Sequence, residues 1–190
     1  RDRTISTLER EGWQVVRSAG ELRRGGRRRF AGYFADGRGP RRIVLWSSPS
    51  GSIRVRRKQQ AEDVRRALDA LYAEGRWTVV LDEAFYVSKT LRLAEELEAL
   101  WHEGRSSGLS LVACSQRPSW LPLSAYSAPT YFLLFPSSDP GDARKLAEIG
   151  GGADAKELRG ELQRLARYEF LFVAPREQPA VVLRSRVTDR

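Results

Sequence analysis

The chain has 190 residues, of which 41% are hydrophobic, and 33 lysines and arginines against 24 aspartates and glutamates give a net charge of +9. This length and composition predict a single α/β domain over residues 1–190. One histidine excludes a histidine-rich metal site, one cysteine excludes internal disulfides, and no run approaches the roughly twenty apolar residues of a membrane span. We therefore expect a protein of the reducing cytoplasm with Cys114 as a core thiol, and the charge favours a polyanionic partner.

The first part of the chain carries two basic clusters between short apolar runs. Strands are predicted at 15–16 and 43–46, and a helix is predicted where an apolar face recurs from Ala61 to Leu71. Cations at a helix N-terminus oppose the helix dipole, so helix stability does not explain the second cluster. Both clusters are either solvated charge or contacts to DNA phosphates that ignore base sequence. The candidate DNA-binding residues are Arg27, Arg28, Arg29, Arg54, Arg56, Arg57 and Lys58.

The middle of the chain contains an apolar run that ends in two adjacent carboxylates. The run begins at Trp77 and is followed directly by Asp82 and Glu83. Such a run suits a parallel strand covered on both faces, whose carboxyl end is where open α/β sheets place ligands. The alternative interpretation is a strand that stops at a polar turn.

A second apolar run, 109–115, is followed by Gln116. Between the two runs lies a helical pattern whose apolar face comprises Leu93, Ala94, Leu97, Leu100 and Trp101, with His102 expected at the solvent side. A right-handed crossover would make the two strands parallel and bring Glu83 and Gln116 to the same edge of the sheet.

These residues resemble the HerA/FtsK superfamily of DNA-pumping P-loop ATPases. The matching segments are Val79-Val-Leu-Asp-Glu83, Arg105-Ser-Ser-Gly108 and Ser115-Gln-Arg-Pro-Ser119. The resemblance implies a RecA-like P-loop NTPase core, with a mostly parallel sheet flanked by helices. It also implies that Asp82 holds Mg²⁺ through water, that Glu83 activates the water that attacks ATP, and that Gln116 senses the γ-phosphate.

The resemblance implies further site residues and an assembly. Arg105 could reach the nucleotide of a neighbouring subunit in a homo-hexameric ring, or it could stabilise the end of its own helix. Ser115 and Arg117 are nucleotide-binding candidates, and Arg117 could act within its own subunit. The implied partner is double-stranded DNA, and the narrower likeness is to ATPases of phages and integrative elements.

One motif of such ATPases is missing, because no Gly-x-x-x-x-Gly-Lys-(Ser/Thr) phosphate cradle occurs in the sequence. The chain also begins at Arg1 and contains no methionine. We expect it to be the C-terminal part of an ATPase core without this Walker A loop. The predicted function is an ATP-hydrolysing DNA translocase or packaging motor subunit, and the alternative is a non-hydrolysing DNA-binding or assembly subunit. A helicase with a DEAD-like motif is disfavoured because Phe85 follows Ala84.

The last third of the chain predicts structural elements. A buried strand over 130–135 is expected to extend the sheet, with Tyr131 and Phe132 in the core. Helices are predicted over 142–149 and from a capping box at Asp154, and a C-terminal β-hairpin over 168–183. Trp120 is expected to be a packing anchor rather than a stacking platform.

Overall fold

A computed structural model describes residues 3–23, 42–137, 139–150 and 154–188. The chain divides into two compact units, residues 1–113 and 114–190. The α/β class is confirmed, with small sheets in place of one extended parallel sheet. The single domain over 1–190 stays a prediction. No helix within the described ranges is long and apolar enough to cross a membrane.

Unit 1 contains two parallel strand pairs, each followed by helical segments. Strand β1 pairs with β2, and β3 pairs with β4 in a register that places Leu81 beside Ala113. A helix connects β3 to β4, so the predicted parallel strand–helix–strand unit is confirmed. The elements are α1 (Arg3–Arg10), β1 (Gln14–Val16), α2 (Ala19–Arg23), β2 (Ile43–Leu45), α3 (Ile53–Glu74), β3 (Thr78–Leu81), a π turn (Tyr86–Thr90), α4 (Ala94–Glu103), a 3-10 turn (Gly104–Ser107) and β4 (Ser110–Ala113).

The longest helix, α3, has defined ends. The Ser52 hydroxyl accepts a hydrogen bond from the Val55 N–H, and the helix stops at Gly75, whose φ is 70°. A Cβ on Gly75 would lie 2.3 Å from the Ser107 carbonyl oxygen, so only glycine fits there. The next N–H, of Arg76, donates to the same carbonyl at 3.0 Å. This contact joins the starts of β3 and β4 at one edge of their sheet.

The β3–β4 pair is buried on one face only. Val79 and Leu81 are buried, whereas Val80 is 61% exposed and Val112 on β4 is 44% exposed. The expectation that the β3 strand is covered on both faces is therefore wrong. The expectation of a core thiol is also wrong, because Cys114 is exposed at the end of β4. Both errors have one cause, since a continuous apolar run does not reveal which face of a strand meets solvent.

Unit 2 is a three-stranded antiparallel sheet with helices against one face. Strand β6 pairs with both β5 and β7. The terminal hairpin is thus confirmed, whereas β5 joins that hairpin instead of extending a parallel sheet. The elements are a 3-10 turn (Pro118–Trp120), α5 (Ser124–Ser127), β5 (Phe132–Leu134), α6 (Pro140–Ala147), a 3-10 turn (Glu148–Gly150), α7 (Ala155–Arg164), β6 (Glu169–Ala174) and β7 (Val181–Arg186).

The core of unit 2 is aliphatic. It comprises Leu134, Leu146, Ile149, Leu158, Leu162, Leu165, Leu171 and Val173, with Phe132 packed against it. Tyr131 is 56% exposed and stacks on Phe172 with ring centroids 5.3 Å apart, so its predicted place in the core is wrong. The Asp154 carboxylate accepts hydrogen bonds from the N–H groups of Lys156 and Glu157, which confirms the helix start predicted there.

Candidate functional site

The two adjacent carboxylates lie where the sequence predicts them. Asp82 and Glu83 follow the last residue of β3, at the carboxyl end of the strand. Asp82 is exposed, Glu83 is half-buried and Ala84 is fully buried. The buried alanine fixes the backbone directly behind the pair, while the carboxylate of Asp82 remains accessible to a hydrated cation.

The single exposed carboxylate of Asp82 suits Mg²⁺ better than it suits a metal ion whose ligands all come from protein side chains. The described ranges contain no group of three or more His, Cys, Asp or Glu side chains that could hold a metal ion. Magnesium ordinarily keeps several waters and takes one or two carboxylates together with substrate phosphates. Asp82 is compatible with that mode of binding, with the remaining ligands supplied by water and a nucleotide.

The helix that follows Glu83 is irregular. Its first turn forms a hydrogen bond from the Val87 N–H to the Glu83 carbonyl at 3.3 Å. It then widens into the π turn, in which the Leu91 N–H donates to the Tyr86 carbonyl at 2.9 Å. Single π turns occur often at functional sites. Periodicity did not indicate this feature, because one inserted residue barely alters an apolar pattern.

A polar network on α3 connects the loops after three strands. The buried Asp63 carboxylate accepts from the Ala19 N–H, after β1, at 3.0 Å and from the Ser47 hydroxyl, after β2, at 2.7 Å. One turn earlier, Gln60 donates to the Ser47 carbonyl at 3.2 Å and accepts from the Tyr86 hydroxyl at 2.9 Å. Sequence reasoning missed these residues. The available signal was Asp63 itself, a carboxylate four residues before the buried Ala67 on the same helical stripe.

Arg105 lies at the opposite end of the β3–β4 pair from the carboxylates. It is exposed in the 3-10 turn before β4, and its carbonyl accepts from the Gly108 N–H at 3.0 Å. Because this turn meets the start of β3, Arg105 is remote from Asp82 within its own unit. That position agrees with the sequence expectation. A role towards a neighbouring subunit stays a prediction.

The segment after β4, which opens unit 2, contains the remaining predicted site residues. Gln116 is exposed, and the Ser115 hydroxyl accepts from the Arg117 N–H at 3.3 Å. The register places the ends of β3 and β4 side by side, and Gln116 follows the end of β4 by three residues. A meeting of Gln116 with Glu83 stays a prediction.

The guanidinium of Arg117 is paired within unit 2. Its Nη2 donates to Asp139 Oδ2 at 3.2 Å, and its Nε forms an ion pair with Asp142 Oδ2 at 3.4 Å. It also lies over the Trp120 ring, 4.7 Å from the centroid. Trp120 is 50% exposed, so the prediction of a packing anchor is wrong, and the ring is a platform for the arginine. These contacts indicate that Arg117 anchors the loop beside Gln116, and its binding of a nucleotide stays a prediction.

The two aspartates that hold Arg117 are themselves fixed by the backbone. Hydrogen bonds from the N–H groups of Asp142 and Gly141, which Asp139 caps at the start of α6, lower the pKa of the Asp139 carboxyl, and Arg117 lowers it further. The buried Asp142 carboxylate accepts from the Ser119 N–H at 3.0 Å. Both ends of the loop over 117–120 are therefore tied to α6.

The second basic cluster forms the beginning of α3 instead of preceding it. Residues 53–59 are all exposed, and they include Arg54, Arg56, Arg57 and Lys58. The helix thus projects two turns of positive charge into solvent. The first cluster, Arg27, Arg28 and Arg29, lies outside the described residues.

Comparison with known proteins gives a likeness of structure. No protein-family model matches the chain, and no curated protein matches its sequence. The genome packaging NTPase B204 of Sulfolobus turreted icosahedral virus 2, in complex with AMPPCP, aligns at a TM-score of 0.59 and 14% identity over 98% of this chain and 89% of that one. The complex of the same NTPase with sulfate aligns at a TM-score of 0.57 and 14% identity over 98% of this chain and 88% of that one. The DNA-packaging ATPase B204 from Sulfolobus turreted icosahedral virus aligns at a TM-score of 0.56 and 14% identity over 98% of this chain and 89% of that one. The chain therefore shares its fold with these viral genome packaging NTPases, which bears out the predicted resemblance as a likeness of fold.

Proposed function

We propose that this chain is the subunit of an ATP-hydrolysing motor that packages or translocates double-stranded DNA. The observation that carries the proposal is the Asp82–Glu83 pair at the carboxyl end of β3, beside the parallel strand β4. In a chain with the fold of a packaging NTPase, this position suits nucleotide hydrolysis. The cytoplasm is the proposed location.

Each site residue has a distinct proposed role. Asp82, exposed, holds Mg²⁺ through water, and the ion neutralises charge on the ATP phosphates. Glu83, half-buried, orients the attacking water and takes its proton. Gln116 contacts the γ-phosphate, and Ser115 supports the loop that presents it. Arg105, remote from its own carboxylates, serves the adjacent subunit of a homo-hexameric ring.

The DNA contact is assigned to the exposed start of α3 and to residues 27–29. Arginines and a lysine on successive exposed turns present charge without a base-reading arrangement. Contacts of this kind are to phosphates and are independent of base sequence. A motor that moves along DNA requires binding that is independent of base sequence.

Carboxylate substitutions test the hydrolytic assignment in the product of the complete gene. Glu83→Gln should retain ATP binding and lose turnover by at least about a hundredfold, which is the low end of general-base contributions. Asp82→Asn should instead weaken binding of Mg²⁺ and ATP. Glu98→Gln, at an exposed position on α4, is the matched control and should change neither property. Single-turnover hydrolysis by Glu83→Gln within a few-fold of the parent would remove Glu83 from the base role.

A salt titration of duplex binding tests the DNA assignment. Replacing Arg56 and Arg57 with alanine should weaken binding equally for unrelated duplexes. The slope of log affinity against log salt should fall by about 0.9 for each lost phosphate contact. Arg159→Ala, an exposed arginine of α7, is the control. Unchanged slopes after these substitutions and after replacement of Arg27, Arg28 and Arg29 would assign both clusters to solvated charge.

A non-hydrolysing DNA-binding or assembly subunit is the second candidate. The sequence favours it through one observation, the absence of the Gly-Lys phosphate cradle from these 190 residues. The same experiments separate the two functions. Duplex binding by the complete gene product without ATP binding would support the second candidate.

A further inference from the structure

The segment that follows Glu83 combines three unfavourable local features. Its π turn closes with a bond from residue 91 back to residue 86 instead of a regular α-helical bond. The Ser88 hydroxyl is buried, and no hydrogen-bond partner for it exists in the described part of the chain. Directly after the turn, Arg92 has a φ of 59°, which is costly for a residue with a side chain. Strain of this kind persists only where surrounding structure imposes it, and it gathers at functional sites.

The restraint on this segment comes from α3. Tyr86, the first residue of the π turn, donates its hydroxyl proton to Gln60 Oε1 at 2.9 Å. Gln60 is itself held, because its amide donates to the Ser47 carbonyl at 3.2 Å. One turn further along α3, Asp63 fixes Ser47 through the hydroxyl. The π turn is thus attached to a helix whose own position is set by two other loops.

The restraining helix begins with the basic cluster, close to Gln60. Lys58 precedes Gln60 by two residues, and Arg56 and Arg57 lie one turn before Gln60 on the exposed part of α3. A helix transmits displacement along its axis because each turn is hydrogen-bonded to the next. A polyanion that neutralises this end therefore acts within one turn of the side chain that holds Tyr86.

We propose that residues 86–92 form a two-state element that couples polyanion binding at the start of α3 to the position of Glu83, and that the Tyr86–Gln60 hydrogen bond is the coupling contact. In one state the turn is the observed π form. In the other it is an α-helical turn, in which the Thr90 N–H replaces the Leu91 N–H as donor to the Tyr86 carbonyl. Because the Val87 N–H donates to the main-chain carbonyl of Glu83, a change of register acts on the backbone that carries the Glu83 carboxylate. Tyr86 and Gln60 are positioning residues, and the inference rests on the proposed roles of Glu83 and of the basic helix end.

Backbone hydrogen exchange on the chain, with a short duplex of arbitrary sequence as the probe, tests the coupling without requiring ATP turnover. Duplex binding should change the exchange rates of the Val87, Leu91 and Leu93 amides by at least about fivefold, the low end of typical coupling between sites. Tyr86→Phe, which removes only the hydroxyl, should abolish that change, and duplex affinity should shift by no more than the coupling factor itself. Tyr72→Phe is the matched control, because Tyr72 lies elsewhere on α3 and donates its hydroxyl proton to Glu103 on α4, so this variant should leave the response intact.

A second variant tests whether the effect of Tyr86→Phe comes from loss of the hydrogen bond or from a local change at position 86. Gln60→Met removes the same hydrogen bond from the other side, together with the Gln60 bond to the Ser47 carbonyl, and the double variant should lose the exchange response to the duplex as either single variant does. In the complete gene product, Tyr86→Phe should also lower the ratio of duplex-stimulated to unstimulated kcat without raising the KM for ATP. An equal fall of both rates would indicate simple support of the fold and overturn the proposal.

The outcomes separate this inference from the proposed function. Duplex binding to the parent without a change at these amides overturns the coupling and leaves DNA binding intact. Failure of the parent to bind the duplex overturns both. An exchange response that depends on Tyr86, in a protein that proves unable to hydrolyse ATP, upholds the coupling and removes only the catalytic role of Glu83.

Discussion

The ion pair between Arg117 and Asp142 can be measured with a double-mutant cycle. Arg117→Met keeps the stem of the side chain and removes its charge, and Asp142→Asn keeps an oxygen that can accept from the Ser119 N–H. The structure gives an Nε to Oδ2 distance of 3.4 Å, with the arginine side chain 41% exposed and the aspartate side chain 2% exposed. The expected coupling energy depends on this difference in exposure between the two side chains.

The magnitude follows from distance and exposure. Two unit charges at this separation attract by about 5 kcal/mol at an effective dielectric constant of 20. Solvent screening at the exposed arginine removes about half of that, which leaves a coupling energy of about 2.5 kcal/mol. Arg117→Met alone should cost about 3 kcal/mol, because the buried Asp142 carboxylate would keep only the hydrogen bond from the Ser119 N–H within the described part of the chain.

Urea unfolding of the four proteins in the cycle gives the coupling energy directly. ATP binding by the Arg117→Met variant of the complete gene product should be retained, because the guanidinium is engaged in anchoring the loop. A coupling below about 0.5 kcal/mol together with a loss of ATP affinity would refute this reasoning. Arg117 would then be a nucleotide ligand, as the sequence motif suggested.

Three other substitutions test local features of unit 1. Burial raises the pKa of the Glu74 carboxyl above its ordinary value of 4.5, against an opposing hydrogen bond from Trp77. The ionised form therefore weakens the fold as pH rises through the raised pKa. Glu74→Gln should increase the urea midpoint at neutral pH and should give no increase in acid below 4.5. Ser88→Ala should raise the free energy of unfolding by about 1 kcal/mol, since it removes a buried hydroxyl that has no hydrogen-bond partner in the described ranges. An unchanged or lower free energy of unfolding would show that burying this hydroxyl is not unfavourable. Gly75→Ala should cost at least about 2 kcal/mol in the same assay, because its Cβ would collide with the Ser107 carbonyl, and a neutral effect would contradict the close approach.

Local patterns in the sequence were sufficient for the elements that depend on neighbouring residues. The β3–α4–β4 unit was predicted from two apolar runs and the helical pattern between them, and the parallel register confirms it. The helix start at Asp154 was predicted from capping chemistry alone. The position of Asp82 and Glu83 at a strand end follows from their place directly after β3.

The errors concern contacts between distant parts of the chain. The antiparallel pairing of β5 with β6 joins residues about forty apart, and no local pattern specifies such a partner. Arg117 is held by aspartates 22 and 25 residues away, so its motif position revealed its neighbour Gln116 but not its ion pairs. Gln60 and Asp63 were overlooked for the same reason, because their partners lie in three separate loops.

The exposure of Cys114 affects how the assembly of this protein must be measured. It is the only cysteine in the chain, and its thiol is exposed two residues before Gln116. Two copies can therefore be oxidised to a covalent dimer, which would distort any estimate of subunit number made without a reductant. The same thiol accepts one maleimide fluorophore per chain without any prior mutation. A dye at that point would report directly on the loop that presents the glutamine.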